Sequence, residues 1–145
     1  MKLDDSLINL IYEAHLLLKN FEESPRDFGT GEKLFASEIH TIVAIGNNEG
    51  CNLTMLANNL KVSKPAANKF VNRLLKNEYI KKGKAIEDKR DIVLSLTDKG
   101  KIAFNSHKVF TEQTFGPLFN IEEQLSEEEK KIIRSFLYDL KESFN

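Results

Sequence analysis

The hydrophobic residues of this chain keep a spacing of three to four positions over most of its length, then switch once to a spacing of two, between residues 80 and 97. No other feature restricts the fold as much. Helices need the first period and strands the second, so the pattern predicts a mostly helical chain interrupted by one short two-stranded ribbon. Its first strand candidate is Ile-Lys-Lys-Gly-Lys at 80–84. In the second, Ile92, Leu94 and Leu96 point one way, and Asp91, Val93, Ser95 and Thr97 point the other. The turn between them, about 85–90, carries Asp88, Lys89 and Arg90.

Around the ribbon the helical segments follow in order. Leu7, Leu10, Ile11, Ala14, Leu17, Leu18 and Phe21 form one stripe of a helix over 4–21. Residues 22–36, with Pro25, Gly29 and Gly31, read as a loop. Ser37 is expected to cap a second helix that ends near Gly46 and Asn47, with a turn at 47–50 and a short strand at 51–53. Thr54 is expected to cap a third helix ending at Leu60. Ser63 caps a fourth, with Pro65 in its first turn, running to about Glu78. Thr97 or Asp98 starts a fifth, which Gly116-Pro117 should kink or break. Ser126 and Glu129 form a capping box for the last. The acidic groups Asp4-Asp5 and Glu127-Glu128-Glu129 fall at helix starts, where they complement the dipole.

Between the third and fourth helices lie only Lys61, Val62 and Ser63. A short helix, a three-residue turn and a longer helix make a helix-turn-helix, whose second helix enters a major groove. Ala57 is small where the two helices cross, and Val62 fills the corner. Ala67, Phe70, Val71, Leu74 and Leu75 give the second helix its apolar face. Its other side carries Lys64, Pro65, Asn68, Lys69, Asn72, Arg73 and Lys76. Lysine and arginine pair with phosphates or guanine edges, and asparagine reads adenine. An ordinary amphipathic helix with a wet basic face carries similar residues; the tight turn and the ribbon that follows favour DNA. A ribbon directly after a recognition helix is a wing whose tip reaches the minor groove, and Arg90 is the side chain suited to it. Asp88 would brace that arginine or hold the turn. Lys82, Lys84 and Lys89 would add phosphate contacts.

Charge supports the same reading. The formal net charge of −1 conceals one basic window. Residues 61–90 hold 10 basic and 3 acidic side chains, whereas residues 1–60 hold 4 basic and 9 acidic. A polyanion is the partner such a window fits.

The stretch LTMLANNLKVSKPAANKFVNRLLKNEYIKKGKAIEDKRDIVLSLTDKG, residues 53–100, resembles the winged helix-turn-helix of the MarR family of transcription regulators. Asp88-Lys89-Arg90 followed by Leu94-Ser95-Leu96-Thr97 and Gly100 is similar to that family's wing signature. The fold class expected is mostly α with a small β-hairpin wing (α+β), a winged helix-turn-helix lobe plus a helical dimerisation domain. As one MarR-like domain, 1–145, the chain would divide into a DNA-binding lobe at 37–100 and a dimerisation region at 1–24 and 101–145. The resemblance implies a cytoplasmic homodimeric repressor on a pseudo-palindromic operator of double-stranded DNA, released by a small-molecule effector. The DNA-contacting residues it implies are Ser63, Lys64, Pro65, Asn68, Lys69, Asn72, Arg73, Lys76, Lys84, Asp88, Lys89 and Arg90. Two positions depart from the family pattern. Lys61 stands where glycine is common in the turn, and Asn77-Glu78 replaces a glycine-containing helix end, with Asn77 expected as the left-handed cap. A dimer also follows from the residues, because apolar stripes on the terminal helices exceed what a winged lobe can cover.

Other functions fit less well. His15, His40 and His107 lie on three helices that could converge on a metal, with Glu38 and Glu112 nearby, but Thr111 occupies the fourth position after His107. A metal-responsive regulator of the same fold and a winged-helix protein-interaction module are the alternatives. No cofactor is expected. Cys51 is the only cysteine, which excludes an intrachain disulfide and fits a reducing compartment. No cation sits beside it in sequence to lower its pKa. Gly29-Thr30-Gly31 lacks the rest of a dinucleotide fingerprint, and no serine sits in a nucleophile elbow, so an enzyme is not expected. No apolar run is long enough to span a membrane, and no secretory signal is read in the first residues.

Overall fold

The computed structural model describes residues 6–144; Asp4 and Asp5 lie outside them. The element order is α1 (Leu7–Glu23), β1 (Arg26–Asp27), β2 (Lys33–Leu34), α2 (Ala36–Asn47), α3 (Leu53–Leu60), α4 (Lys64–Lys76), β3 (Ile80–Lys84), β4 (Ile92–Leu96), α5 (Asp98–Glu123) and α6 (Glu127–Glu142). This is the expected mostly helical chain with its wing, β3 paired antiparallel with β4 in the register Ile80↔Leu96 to Lys84↔Ile92.

The core lies where the short helices meet the base of the wing. Ile39, Ile42 and Ile45 of α2, Leu56 and Ala57 of α3, Ala67, Val71 and Leu74 of α4, Leu94 and Leu96 of β4 and Ala103 of α5 are each no more than 3% exposed. Burying each of the isoleucines, leucines and the valine among them contributes roughly 1.5–3 kcal/mol. The alternation along β4 behaves as a wing should: Leu94 and Leu96 are buried, while Ile92, nearer the tip, is exposed. Gly100 brings α5 against the end of α4, for a Cβ there would stand 2.0 Å from the Tyr79 carbonyl oxygen. Thr97 completes the joint. Its hydroxyl accepts from Gly100 N–H at 3.1 Å and donates to the Glu78 carbonyl at 2.6 Å.

By compactness the chain separates into two units, Met1–His107 and Lys108–Asn145. The second holds the rest of α5 and α6, with Arg134 paired to Glu122 at 3.6 Å. Its capping box forms as expected: the Ser126 hydroxyl accepts from Glu129 N–H, and the Glu129 carboxylate accepts from Ser126 N–H.

Several local expectations are corrected. The segment 22–36 is not merely a loop, because β1 and β2 pair within it, Arg26↔Leu34 and Asp27↔Lys33. The Asp27 carboxylate accepts the N–H groups of Thr30 and Gly31, and Phe28 and Leu34 are buried, so the segment carries its own turn and its own core contacts. α2 starts after Phe35 rather than Ser37; Glu38 reaches back to accept the Phe35 N–H at 2.8 Å and does the capping from inside the helix. α3 is capped by Asn52, not Thr54, the Asn52 side chain accepting from Met55 N–H at 2.9 Å. Cys51 forms an isolated bridge to Leu94 in place of a strand over 51–53. α4 stops at Lys76, and the left-handed residue beyond it is Glu78 (φ 60°), while Asn77 keeps φ −93°. α5 continues through Gly116-Pro117 to Glu123. Proline there removes one helical hydrogen bond, and the Gln113 carbonyl that loses it belongs to an exposed residue which water can satisfy.

Candidate nucleic-acid interface

The turn between α3 and α4 is made by one left-handed residue. Lys61 adopts φ 54° and ψ 42°, and the Val62 N–H turns back to the Ala57 carbonyl at 3.1 Å. Ser63 then restarts the helix, its hydroxyl accepting from Ala66 N–H at 3.3 Å, with Pro65 in the first turn as expected. With Ala67, Val71 and Leu74 facing inward, the opposite side of α4 turns to solvent. Ser63, Lys64, Pro65, Asn68, Lys69, Asn72, Arg73 and Lys76 are all exposed.

The wing stands beside this helix. A cleft of about 210 Å³ lined by Leu53, Asn68, Val71, Lys82, Ile92 and Leu94 joins the flank of α4 to the ribbon. Cys51 ties the ribbon down from the other side, accepting Leu94 N–H at 2.8 Å. At the tip, the Asp88 carboxylate accepts from Arg90 N–H at 2.9 Å, and Asp91 N–H donates to the Asp88 carbonyl. Of the two roles expected for Asp88, the structure displays the second, holding the turn. Lys84, Asp88, Lys89 and Arg90 are exposed, and Ile86 beside them is fully so.

Within the basic window, Arg73 differs from its neighbours. Its Nε lies 2.7 Å from the Glu38 carboxylate, and its guanidinium carbon lies 5.1 Å from the centre of the Phe35 ring. None of the other nine cations of residues 61–90 enters an ion pair among the described residues. Sequence reasoning found the cations but missed the acid. Glu38 belongs to the acidic first part of the chain, and its only local signal was a glutamate three residues into a helix.

A second polar group closes the far end of α4. Lys99 donates to the Asn77 carbonyl and to Glu32, both at 3.0 Å, and its ammonium stands 4.4 Å from the centre of the Tyr79 ring. The Tyr79 hydroxyl donates to Glu32 at 3.1 Å and shares a 2.8 Å hydrogen bond with Thr30. The hydrogen bond from Lys99, then that from Tyr79, holds the Glu32 carboxyl below the ordinary carboxylate range. Burial pushes the Tyr79 phenol up. The β1–β2 hairpin is therefore fastened to the residues that follow α4.

Two of the three histidines meet. The rings of His40 and His107 are 6.1 Å apart and perpendicular, and Phe28 lies 5.6 Å from His107 on another side. Burial first, then the nearby His40, holds the His107 imidazole below its usual value. Among the described residues no group of three or more His, Cys, Asp or Glu side chains is placed to hold a metal ion. Cys51 is buried, and that burial pushes its thiol up, away from the reactive thiolate.

Comparison with known proteins converges on one family. The model of the MarR family matches residues 34–92. Transcriptional regulator ZitR of Lactococcus lactis subsp. cremoris (strain MG1363) is 28% identical over 144 residues, covering 96% of this chain and 99% of its own. HTH-type transcriptional regulator BilQ of Clostridium symbiosum (strain WAL-14163) is 31% identical over 103 residues, 70% of this chain and 69% of its own. Among solved structures, wild-type Lactococcus lactis ZitR in complex with DNA superposes with a TM-score of 0.78 at 26% identity, covering 97% of this chain and 99% of that one. A crystal structure of ZitR as a zinc-responsive MarR family member matches at 0.75 and 28% identity, covering 97% and 100%.

Proposed function

This chain belongs to the MarR family of DNA-binding transcriptional regulators, and from that footing we propose how it engages its operator. It acts as a homodimer, with α4 of each protomer in the major groove of one half of a pseudo-palindromic site and the wing tip in the adjoining minor groove. Lys64, Lys69, Lys76, Lys84 and Lys89 neutralise phosphates. Asn68 and Asn72 face base edges, Ser63 and Pro65 set the helix start against the backbone, and Arg90, its turn held by Asp88, enters the minor groove. Residues 37–100 form the DNA-binding lobe, and 1–24 with 101–145 form the dimerisation region of a single MarR-like domain. The observation that carries this reading is the exposed basic side of α4, whose lysines enter no ion pair among the described residues, with the wing alongside it. Pairing is supported by α1 and α6, neither of which contains a buried residue despite Leu7, Leu10, Leu17, Ile132 and Leu137.

The sign of control proposed is repression, lifted by a small-molecule effector, in a cytoplasmic protein. Among the described residues no helix is long and apolar enough to cross a membrane. The experiment is a gel shift with the gene's own upstream DNA at rising salt, with the quadruple alanine variant of Lys69, Asn72, Lys76 and Arg90 beside the wild type. Steep salt-dependent binding that the variant loses is expected. Unchanged binding by the variant would refute the assigned surface.

A further inference from the structure

We propose that Glu38 is a positioning residue for DNA recognition and acts through Arg73, which it withholds from the phosphates. The inference rests on α4 being the recognition helix. Glu38 lies on α2 and is only 2% exposed. Both of its oxygens are engaged: Oε1 with Arg73 Nε at 2.7 Å, and Oε2 with the Phe35 N–H at 2.8 Å. The arginine is thus held at one edge by a carboxylate, with the Phe35 ring near its face. A carboxylate this deeply buried is costly without its cation, so the pair is strongly bound to persist when DNA arrives. An arginine already neutralised by a carboxylate releases few phosphate counterions, unlike the unpaired Lys69 and Lys76 on the same helix.

What the pair contributes is an angular constraint. Val71 and Leu74 pack the inner side of α4 through apolar contacts, and such contacts resist separation better than small rolls about the helix axis. Arg73 is the residue after Asn72, about 100° further round the helix. A hydrogen-bonded ion pair at that azimuth fixes the roll. Side-chain tips lie about 5–6 Å from the axis, so a roll of about 20° would carry the Asn72 amide about 2 Å, beyond hydrogen-bonding tolerance. Glu38 therefore governs which sequence α4 reads, though it touches no base.

The test uses the full-length protein and two probes, a duplex from the gene's own upstream region and a scrambled duplex of the same composition, titrated by fluorescence anisotropy at several salt concentrations. Arg73→Ala, Glu38→Gln and their combination are compared; the glutamine keeps an acceptor for the Phe35 N–H and so preserves the start of α2. Each single variant should lower the ratio of upstream to scrambled affinity about tenfold, the worth of one lost base contact. The double variant should lose no more than either single. In Arg73→Ala and in the double variant, scrambled-duplex affinity and salt slope should stay at wild-type values; in Glu38→Gln the arginine set free should raise scrambled affinity and steepen the slope by up to about 0.9 per protomer. Loss of folded protein lowers both affinities together and cancels in the ratio. A salt slope reduced by about 0.9 per protomer in Arg73→Ala would make Arg73 a phosphate contact and overturn the proposal. An unchanged ratio, or a double variant with multiplied losses, would overturn it as well. A wild type that does not distinguish the two duplexes would instead sink the underlying assignment of α4.

Discussion

Removing the ammonium groups of Lys69 and Lys76 together should change how DNA binding responds to salt, by an amount that can be worked out beforehand. Both side chains stand on the exposed side of α4, and neither enters an ion pair among the described residues. Each is free to release about 0.9 of a condensed counterion on meeting a phosphate. Two lysines in each of two protomers make four contacts, so the double alanine variant should show a slope of log affinity against log salt shallower by about 3.6. Between 50 and 200 mM salt that difference amounts to about 150-fold: the wild type loses about that factor more affinity than the variant. The deficit of the variant is therefore largest in dilute salt and shrinks as salt rises. Fluorescence anisotropy at five or six salt concentrations would read both slopes. A difference near 1.8 would mean that a single protomer binds, contradicting the dimer. Parallel slopes would mean that these lysines do not face phosphate at all, and the orientation of α4 on the duplex would have to be abandoned.

Gly100→Ala should destabilise the protein by about 3 kcal/mol, at the upper end of overpacking costs, because the added methyl would meet the Tyr79 carbonyl, which also accepts Thr97 N–H; urea unfolding within 0.5 kcal/mol of wild type would refute that packing. The His107 imidazole is held below its usual value by burial and by His40, so the unfolded chain takes up the proton first as pH falls. Its neutral form stabilises the fold above about pH 6.5, and that contribution is lost on acidification; His107→Leu should flatten the fall in melting temperature between about pH 7 and 5. Glu32 is held low by Lys99 and Tyr79, so its contribution is present above the ordinary carboxylate range and lost below it. Glu32→Gln should remove that acidic limb, and an unaltered acid profile would show that the Lys99 contact contributes nothing in solution.

Much of the DNA-binding lobe was legible because its signals are local. Ser63 with Pro65, the three-residue turn and the alternation of Leu94 and Leu96 each involve neighbours a few residues apart, and each appears where the pattern put it. Helix starts were misread where two polar residues competed. Asn52 and Thr54 are both good caps, and the choice depends on which backbone is extended; Asn52 has ψ 173°. Ser37 lost to a glutamate capping from within the helix, where no small polar residue marks the cap. The β1–β2 hairpin was invisible because its strands are two residues each and Phe28 and Leu34 find their cover elsewhere in the chain. Arg73 illustrates the limit for the site itself. Its charge and helical face were plain, but the acid that claims it lies in a distant segment, and no periodicity encodes such a pairing.

The helix α4 hangs between two left-handed joints, Lys61 at φ 54° before it and Glu78 at φ 60° after it. Neither is glycine, so each joint holds a backbone that costs a residue with a side chain about 1–2 kcal/mol, which the surrounding packing must offset. Glycines there would relieve strain but let the rod swing. Held in this way at both ends, α4 takes its direction from the fold around it rather than from the preferences of the two residues that bound it.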